Sequence, residues 1–222
     1  MKKEPLKKYK TPWPTKAAME QIYELNLWGT NGSEFYSGSG SHDEKIIVPY
    51  IKAVNSFFKS FKEPLTVCDL GCGDFNVGKQ LLTYVKEYIA VDIVFDLIER
   101  NKEKFKRENV HFVCSDISKD TLPKTDCVLI RQVLQHLSND EVSRIVPKLK
   151  EYTYLILTEH LPENDFIPNL DIISGQGIRL KKNSGINLLA APFYLKVRET
   201  QELVSITLPN GKGKIVTYVY TL

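Results

Sequence analysis

One stretch of the sequence constrains the fold more than any other: residues 65–82, which read LTVCDLGCGDFNVGKQLL. It begins with an apolar run typical of a buried strand, and two glycines one residue apart, Gly71 and Gly73, follow. Apolar side chains then recur at a spacing of four, at Val77, Leu81 and Val85. This spacing indicates one face of a helix. Because glycine tolerates positive φ and lets a ligand approach the backbone, the stretch predicts a strand, a tight turn and a helix around a ligand site.

The acids around these glycines distinguish two classes of ligand. A dinucleotide site has the pattern G-x-G-x-x-G, with the pyrophosphate on the helix N-terminus, but Asn76 stands at the third glycine position. Asp69 and Asp74 supply carboxylates, which suit a ligand with an amino group and a sulfonium better than a pyrophosphate. The stretch resembles the first motif of the class I S-adenosylmethionine (SAM) methyltransferases, D-x-G-x-G, which begins here at Asp69 and ends at Gly73.

Two later acids extend this resemblance. Asp92 lies 21 residues after Gly71, at the end of a predicted second strand, residues 88–92. There a carboxylate can accept hydrogen bonds from both ribose hydroxyls, although the same residue could instead cap the next helix. The resemblance implies that Asp116 accepts from the adenine amino group and that the N–H of Ile117 meets the ring. It also implies cofactor contacts from the neighbouring residues Ile93, Ser115, Arg131 and Gln132.

The resemblance implies an α/β fold with a seven-stranded, mostly parallel sheet, helices on both faces, a C-terminal antiparallel hairpin and an N-terminal helical lid. The apolar patterns predict strands at residues 65–70, 88–92, 110–114, 125–130, 152–157, 203–208 and 214–220, and helices at residues 15–28, 43–61, 95–105 and 139–149. The dipeptide Asn210-Gly211 between the last two strands is a strong hairpin signal.

Residues 161–192 depart from the usual pattern. They hold three prolines and three glycines and show no helical period, so a crossover helix is not expected after the fifth strand. We interpret them as an irregular insertion on the substrate side of the domain. Its polar side chains, among them Arg179 and Asn187, are expected to converge on the pocket.

Residues 28–41 combine aromatic side chains with glycines and serines. A solvated linker does not need the aromatics, and a core does not need the glycines and serines. We interpret the segment as a lid over the SAM pocket rather than a linker. Its expected cofactor contacts are Trp28, Tyr36, Ser39, Gly40 and Ser41. The chain is therefore divided into an N-terminal extension and lid, residues 1–42, and a SAM-binding domain, residues 43–222.

The composition of the chain limits the classes of partner that can be expected. With 30 basic and 27 acidic residues the net charge is only +3, which gives no electrostatic reason to expect nucleic acid. No apolar stretch is long enough to span a membrane, and the lysine-rich start, MKKEPLKKYK, is not a secretory signal but a solvated terminus. The four cysteines match no zinc spacing, so no metal is expected. Reduced thiols of this kind are typical of the cytoplasm.

The resemblance implies methyl transfer from SAM, by in-line displacement, to a small-molecule acceptor. A hydroxyl acceptor, in a sugar or another metabolite, needs a general base. One candidate is His136, in residues 131–137, which resemble the V-L-x-H-L segment of small-molecule methyltransferases. The other is His160, which a neighbouring Glu159 could orient.

Three other functions stay open. A nucleic-acid or protein N-methyltransferase is one, although enzymes acting on base amines commonly carry N/D-P-P-Y/F after the fourth strand, where this chain has Arg131-Gln-Val-Leu. A NAD-dependent oxidoreductase is another, disfavoured by Asn76 and by a lid ahead of the core. The third is a SAM-binding protein without catalysis.

Overall fold

The structure is a computed structural model that describes residues 12–32 and 35–222. The lysine-rich terminus lies outside these residues, as do residues 33 and 34 of the expected lid. The elements in chain order are α1 (Thr15–Glu24), α2 (Glu44–Lys59), β1 (Leu65–Leu70), β2 (Val85–Asp92), α3 (Phe95–Lys104), β3 (Val110–Cys114), β4 (Cys127–Arg131), α4 (Asn139–Leu149), β5 (Tyr154–Leu161), β6 (Glu199–Thr207) and β7 (Lys214–Thr221).

The strands form one seven-stranded sheet in the order β3-β2-β1-β4-β5-β7-β6. The first five pair in parallel, and β7 pairs antiparallel with both β5 and β6. Asn210 and Gly211 lie in the turn of the β6–β7 hairpin with φ of 61° and 65°, a left-handed conformation that these two residue types accept readily. The predicted fold class and the C-terminal hairpin are confirmed.

The sheet is buried on both faces because neighbouring strand residues point to opposite sides. Cys68 and Leu70 of β1 pack on the face covered by α1 and α4. Val67 packs on the opposite face, which α2 covers with Tyr50, Val54 and Phe58 among others. Each fully buried aliphatic side chain contributes roughly 1.5–3 kcal/mol. The parallel strands thereby end at one rigid edge, which carries the glycine turn.

The α-helix predicted after the glycine turn is wrong. Two short 3₁₀ turns, Gly78–Gln80 and Leu82–Tyr84, stand there instead, and Val85 already begins β2. Phe75 explains the difference: at φ 62° its ring turns into the core and packs edge-on against Tyr88 at a centroid distance of 5.6 Å. Because the chain enters the core at Phe75, too few residues remain before β2 for an α-helix, and only tight turns fit there.

Strand β5 is longer than predicted. Its antiparallel ladder with β7 continues to the pair Leu161–Lys214, so Glu159 and His160 lie inside the strand rather than after its end. The other predicted elements differ from the observed ones mainly at their ends; the first helix, for instance, stops at Glu24. Between β5 and β6 the chain is irregular apart from one 3₁₀ turn, Arg179–Lys182, as predicted.

Candidate functional site

A cavity of about 380 Å³ lies at the carboxyl ends of β1, β2 and β4. Of the predicted site residues, those that line it are Trp28, Ser39, Gly40, Ser41, Asp69, Gly71, Gly73, Asp74, Asp92, Ile93, Ser115, Asp116, Ile117, Arg131, Gln132, His136 and His160. Tyr36 and Glu159 do not line it. The cavity follows the rule that open parallel sheets bind ligands at the carboxyl ends of their strands.

The glycine turn is the base of the cavity. Gly71 has φ 82° and Gly73 φ 54°, both in the left-handed region. The N–H of Gly71 donates to the carbonyl of Val91 at 2.8 Å, and the N–H of Gly73 donates to Oδ2 of Asp92 at 3.0 Å. A Cβ on Gly71 would lie 2.3 Å from Cγ2 of Val133. Glycine is therefore required at position 71 by both conformation and space.

Asp69 is buried at the end of β1 and accepts a hydrogen bond from the hydroxyl of Tyr88 at 2.8 Å. Burial raises the pKa of Asp69 to about 6, although the Tyr88 hydroxyl and the Arg131 charge act to lower it. Asp69 is thus mainly ionised at neutral pH. A buried carboxylate of this kind attracts a cationic group.

Asp92 and Asp116 are held by backbone donors. Besides the Gly73 N–H, Asp92 accepts from the N–H of Val94 at 3.1 Å, so it also holds the turn that precedes α3. Burial raises the pKa of Asp92. Asp116 accepts from the N–H and hydroxyl of Ser118 and from Nζ of Lys119. Burial acts to raise the pKa of Asp116, but these hydrogen bonds outweigh it and lower the pKa.

The segment expected to form a lid lies against the glycine turn through Asp74. Oδ2 of Asp74 accepts from the N–H of Ser37 at 3.0 Å and lies 2.6 Å from Nε2 of His42. The hydroxyl of Ser37 in turn accepts from the N–H of Asp74 at 2.8 Å and lies 3.0 Å from the hydroxyl of Tyr23. Tyr36 stacks on His42 at a centroid distance of 4.5 Å instead of facing the cavity.

Arg131 and Gln132 connect the end of β4 to the same lid. The guanidinium of Arg131 donates to the carbonyl of Gly40 at 2.5 Å and to the hydroxyl of Ser41 at 3.2 Å. Gln132 has a positive φ of 56°, and its side-chain amide packs against the backbone of Gly40. Nε of Arg131 and Nε2 of Gln132 are buried without a hydrogen-bond partner among the described residues. The cavity wall therefore offers two hydrogen-bond donors to an acceptor group of a ligand.

The other half of the cavity is built around His136. Its ring lies 5.2 Å from that of Trp28, and its Nδ1 lies 3.1 Å from the carbonyl of Gly175. Because that carbonyl can only accept, Nδ1 carries the proton and Nε2 keeps its lone pair. Oε1 of Gln135 accepts from the N–H of His160, and its Nε2–H donates to this lone pair over a long 3.3 Å. Burial lowers the pKa of His136 to about 4, so the ring is neutral at ordinary pH.

The expected Glu159–His160 pair does not form, because adjacent strand residues point to opposite faces. Nε2 of His160 donates to the carbonyl of Lys212 at 2.6 Å at the edge of the cavity. Glu159 is only 3 % exposed and packs beneath the irregular segment, beside Arg179 rather than in the cavity. Assigning Glu159 to the catalytic group is therefore wrong, because the longer β5 carries it into the core.

The irregular segment also differs from its expected role. Arg179 donates to the carbonyl of Leu170, Oδ1 of Asn187 accepts from the N–H of Leu189, and neither residue lines the cavity. The segment instead contributes Gln176, whose Nε2 donates to the carbonyl of Leu27, and Ile178. Sequence reasoning missed these two residues because the segment has no period that assigns side chains to a face. It also missed Tyr23 and Ser37, although Ser37 lies in the serine- and glycine-rich stretch that gave the signal for the lid.

Comparisons with known proteins agree with this geometry. Residues 67–153 match a family model described as a methyltransferase domain. No curated protein matches the chain. In the described part of the chain, no helix is long and apolar enough to cross a membrane.

Solved methyltransferases share the fold at low sequence identity. The N-methyltransferase NodS from Bradyrhizobium japonicum, in complex with S-adenosylhomocysteine (SAH), has a TM-score of 0.67 at 11% identity, over 92% of this chain and 98% of that one. Coclaurine N-methyltransferase, bound to N-methylheliamine and SAH, has a TM-score of 0.61 at 13% identity, over 98% and 85%. The Burkholderia thailandensis 1,6-didemethyltoxoflavin-N1-methyltransferase, also with SAH, has 0.55 at 14%, over 96% and 92%.

The groups around the cavity fit SAM. Carboxylates at Asp69 and Asp92 suit an ammonium and vicinal hydroxyls, and the two donors without partners, on Arg131 and Gln132, suit a carboxylate. Residues 67–153 match the model of a methyltransferase domain, and the chain has the Rossmann-like class I fold of solved methyltransferases with SAH bound, so in fold and in donor set it is similar to the SAM-dependent methyltransferases.

Proposed function

We propose that this enzyme methylates a hydroxyl of a small molecule, a sugar or another metabolite, bound in the cavity beside Trp28 and His136. The observation that carries the proposal is the state of His136. Its Nδ1–H donates to the carbonyl of Gly175, so Nε2 keeps its lone pair, and the ring lines the cavity. An acceptor hydroxyl would replace the long 3.3 Å contact of this lone pair with the Gln135 amide. A neutral imidazole in this tautomer can accept a proton from an acceptor hydroxyl.

The residues of the cofactor half have distinct proposed roles. Asp69 holds the ammonium of SAM, Asp92 the ribose hydroxyls, and Asp116 with the Ile117 N–H the adenine. Arg131 and Gln132 hold the carboxylate. When bound, SAM supplies a methyl group already activated by the sulfonium, so these contacts serve mainly to fix its position.

The lid excludes water from the same space. Residues 1–42 are proposed to be an N-terminal extension and lid on a SAM-binding domain of residues 43–222. The contacts of Ser37 with Asp74 and of Gly40 with Arg131 support the role of the first part as a lid, because they hold it against the second part at the cavity. Water is a competing methyl acceptor, so its exclusion protects the reaction. Trp28 and Ser39 complete the wall on the lid side.

The size and surroundings of the cavity favour a small acceptor. The lid covers one side, and Gln176 and Ile178 of the irregular segment cover another. A polymer would have to displace both. The balanced charge of the chain gives no attraction for nucleic acid. A cytoplasmic location is part of the proposal, since all four cysteines are free thiols, which a reducing compartment maintains.

An amine is the second candidate for the acceptor. The specific observation in its favour is the pKa of His136 near 4, which makes the ring a weak base. A weak base can still orient a neutral amine by accepting a hydrogen bond, whereas it removes a hydroxyl proton less readily. NodS and coclaurine N-methyltransferase, which share the fold, are named as N-methyltransferases.

The test is incubation of the protein with methyl-labelled SAM and an extract of the source cell separated into small molecules, protein and nucleic acid. The proposal predicts label in the small-molecule fraction and its loss with His136→Gln. If the purified acceptor reacts through oxygen, the rate of His136→Gln should fall about 10²–10⁴-fold below that of wild type. If it reacts through an amine, the rate should fall less, and its pH dependence should follow the titration of the amine. Label confined to protein or nucleic acid would overturn the proposal.

A further inference from the structure

The irregular segment between β5 and β6 holds His136 through two reciprocal hydrogen bonds, and the one to the ring fixes its tautomer. Nδ1 of His136 donates to the carbonyl of Gly175, and the N–H of Gly175 donates to the carbonyl of His136 at 3.0 Å. The sheet supplies neither bond. The orientation of the ring therefore depends on what holds the irregular segment against the segment after β4.

Arg179 holds them together. Its side chain is 1 % exposed, and Nε donates to the carbonyl of Leu170 at 3.0 Å within its own segment. Nη1 donates to the carbonyl of Leu134 at 3.0 Å, and Nη2 donates to the carbonyl of Leu137 at 2.7 Å. Nη2 also donates to Oδ1 of Asn139 at 2.8 Å. The two carbonyls stand on either side of His136 in sequence, so one planar group spans the turn that carries the ring.

Only a guanidinium can make this set of contacts. Its five N–H donors have a fixed fork geometry, whereas the ammonium of lysine is a single nitrogen with three donors. Glu159 lies near the guanidinium, but burial raises the pKa of Glu159 to about 8, so this carboxyl is mainly neutral at ordinary pH. Its oxygens accept no hydrogen bond from Arg179, so Glu159 does not fix the direction of the guanidinium. The three carbonyls and Oδ1 of Asn139 set its position.

We propose that Arg179 is a positioning residue for methyl transfer: it locks the irregular segment to the segment after β4 and thereby holds His136 in the tautomer that presents Nε2 to the acceptor. Arg179 does not line the cavity and touches neither cofactor nor acceptor. The inference rests on the proposed role of His136 as the group that meets the acceptor.

The test uses the full-length protein saturated with SAH and long-range ¹H–¹⁵N spectra of its histidine rings. The wild type is expected to show His136, assigned by its absence from His136→Gln, as the Nδ1–H tautomer. Arg179→Lys keeps charge and approximate size but loses the fork, so the Nδ1–H signature should be lost or mixed with the Nε2–H form. Affinity for SAH should stay within about threefold of wild type, because the cofactor half is untouched.

Glu159→Gln is the matched control, since it alters the same buried neighbourhood and leaves the four hydrogen bonds of Arg179 in place. It should keep the wild-type tautomer. Arg179→Met, which removes every donor, should lose the signature as the lysine variant does; if it does not fold, the lysine variant decides. An unchanged His136 signal in Arg179→Lys would overturn the inference.

The outcomes separate this inference from the proposed function. If His136→Gln transfers methyl groups as fast as wild type, the proposed base is wrong, and the tautomer measurement still shows whether Arg179 positions the ring. If His136→Gln is inactive while Arg179→Lys keeps both tautomer and rate, only the positioning role is wrong.

Discussion

Ser37 and Asp74 are hydrogen-bonded to each other in both directions, from the N–H of Ser37 to Oδ2 of Asp74 at 3.0 Å and from the N–H of Asp74 to Oγ of Ser37 at 2.8 Å. The pair joins the lid to the glycine turn. Ser37→Ala should weaken SAH binding by about fivefold or more, since it removes the hydrogen bonds of Oγ with the Asp74 N–H and with the Tyr23 hydroxyl, each worth about 1 kcal/mol. Calorimetry measures the change, and Ser60→Ala, which alters a hydroxyl at the end of α2, is the control.

Hydrogen exchange gives an independent view of the same lid. SAH should slow the exchange of amides in residues 35–41 of the wild type, because a filled cavity stabilises the closed lid. Equal exchange in both samples, with protection of the Gly71–Gly73 turn alone, would show that the segment is a linker and that another part of the chain closes the cavity.

Asp92 accepts two backbone hydrogen bonds and is proposed to accept two more from the ribose. Asp92→Ala should therefore reduce SAH affinity about tenfold or more, as expected for charge-assisted hydrogen bonds worth roughly 1.5–3 kcal/mol. It should also lower the melting temperature without ligand, because the N–H groups of Gly73 and Val94 lose their acceptor. A lower melting temperature with unchanged SAH affinity would mean that Asp92 only holds these two turns.

Asp69 predicts how stability depends on pH. Its pKa is about 6 in the folded protein, above the ordinary value of a carboxyl, so the unfolded chain ionises first as pH rises. Asp69 should therefore contribute about 3 kcal/mol to a fall in the free energy of unfolding between pH 4 and 6. Asp92 and Glu159, whose pKa values are also raised by burial, add to the fall, so Asp69→Asn should reduce it by about 3 kcal/mol rather than remove it. A fall of the same size in Asp69→Asn, measured by urea unfolding at each pH, would assign it to other groups.

The same carboxyl predicts the pH dependence of cofactor binding. The ionised form attracts the ammonium of SAH, so affinity should increase as pH rises through 6. Asp69→Asn should bind more weakly at pH 7 and lose this dependence. Wild-type affinity that is flat between pH 5 and 7 would remove Asp69 from the ammonium site.

Sequence patterns predicted most of the strands and helices, and the acids that line the cavity around the glycine turn, because both depend on local signals. Parallel strands read as apolar runs, and the acids at Asp69, Asp92 and Asp116 follow strand ends, so topology alone brings them to one edge. The helix after the glycine turn was predicted wrongly because Val77, Leu81 and Val85 are all buried, as a helical face would be, while the left-handed turn at Phe75 leaves no visible period.

The acceptor half was harder to predict because tertiary contacts build it. The carbonyl of Gly175 lies 39 residues from His136, and Arg179 reaches the carbonyls of Leu134 and Leu137 from 45 and 42 residues away. Backbone carbonyls carry no sequence signal. Arg179 could be recognised as a polar residue in an apolar surrounding, but the sequence does not show that its donors bind backbone rather than substrate.

The central claim is that the cavity between the glycine turn and the lid holds SAM, and calorimetric titration with SAH tests it most directly. Gly71→Ala puts a Cβ 2.3 Å from Cγ2 of Val133 at φ 82°, while Gly211→Ala places one at φ 65° in the hairpin with no atom within 4 Å. Wild type and Gly211→Ala should bind one SAH per chain, Gly71→Ala should not, and NAD should bind to none of them. Equal SAH binding by Gly71→Ala, or tighter binding of NAD than of SAH by the wild type, would contradict the account.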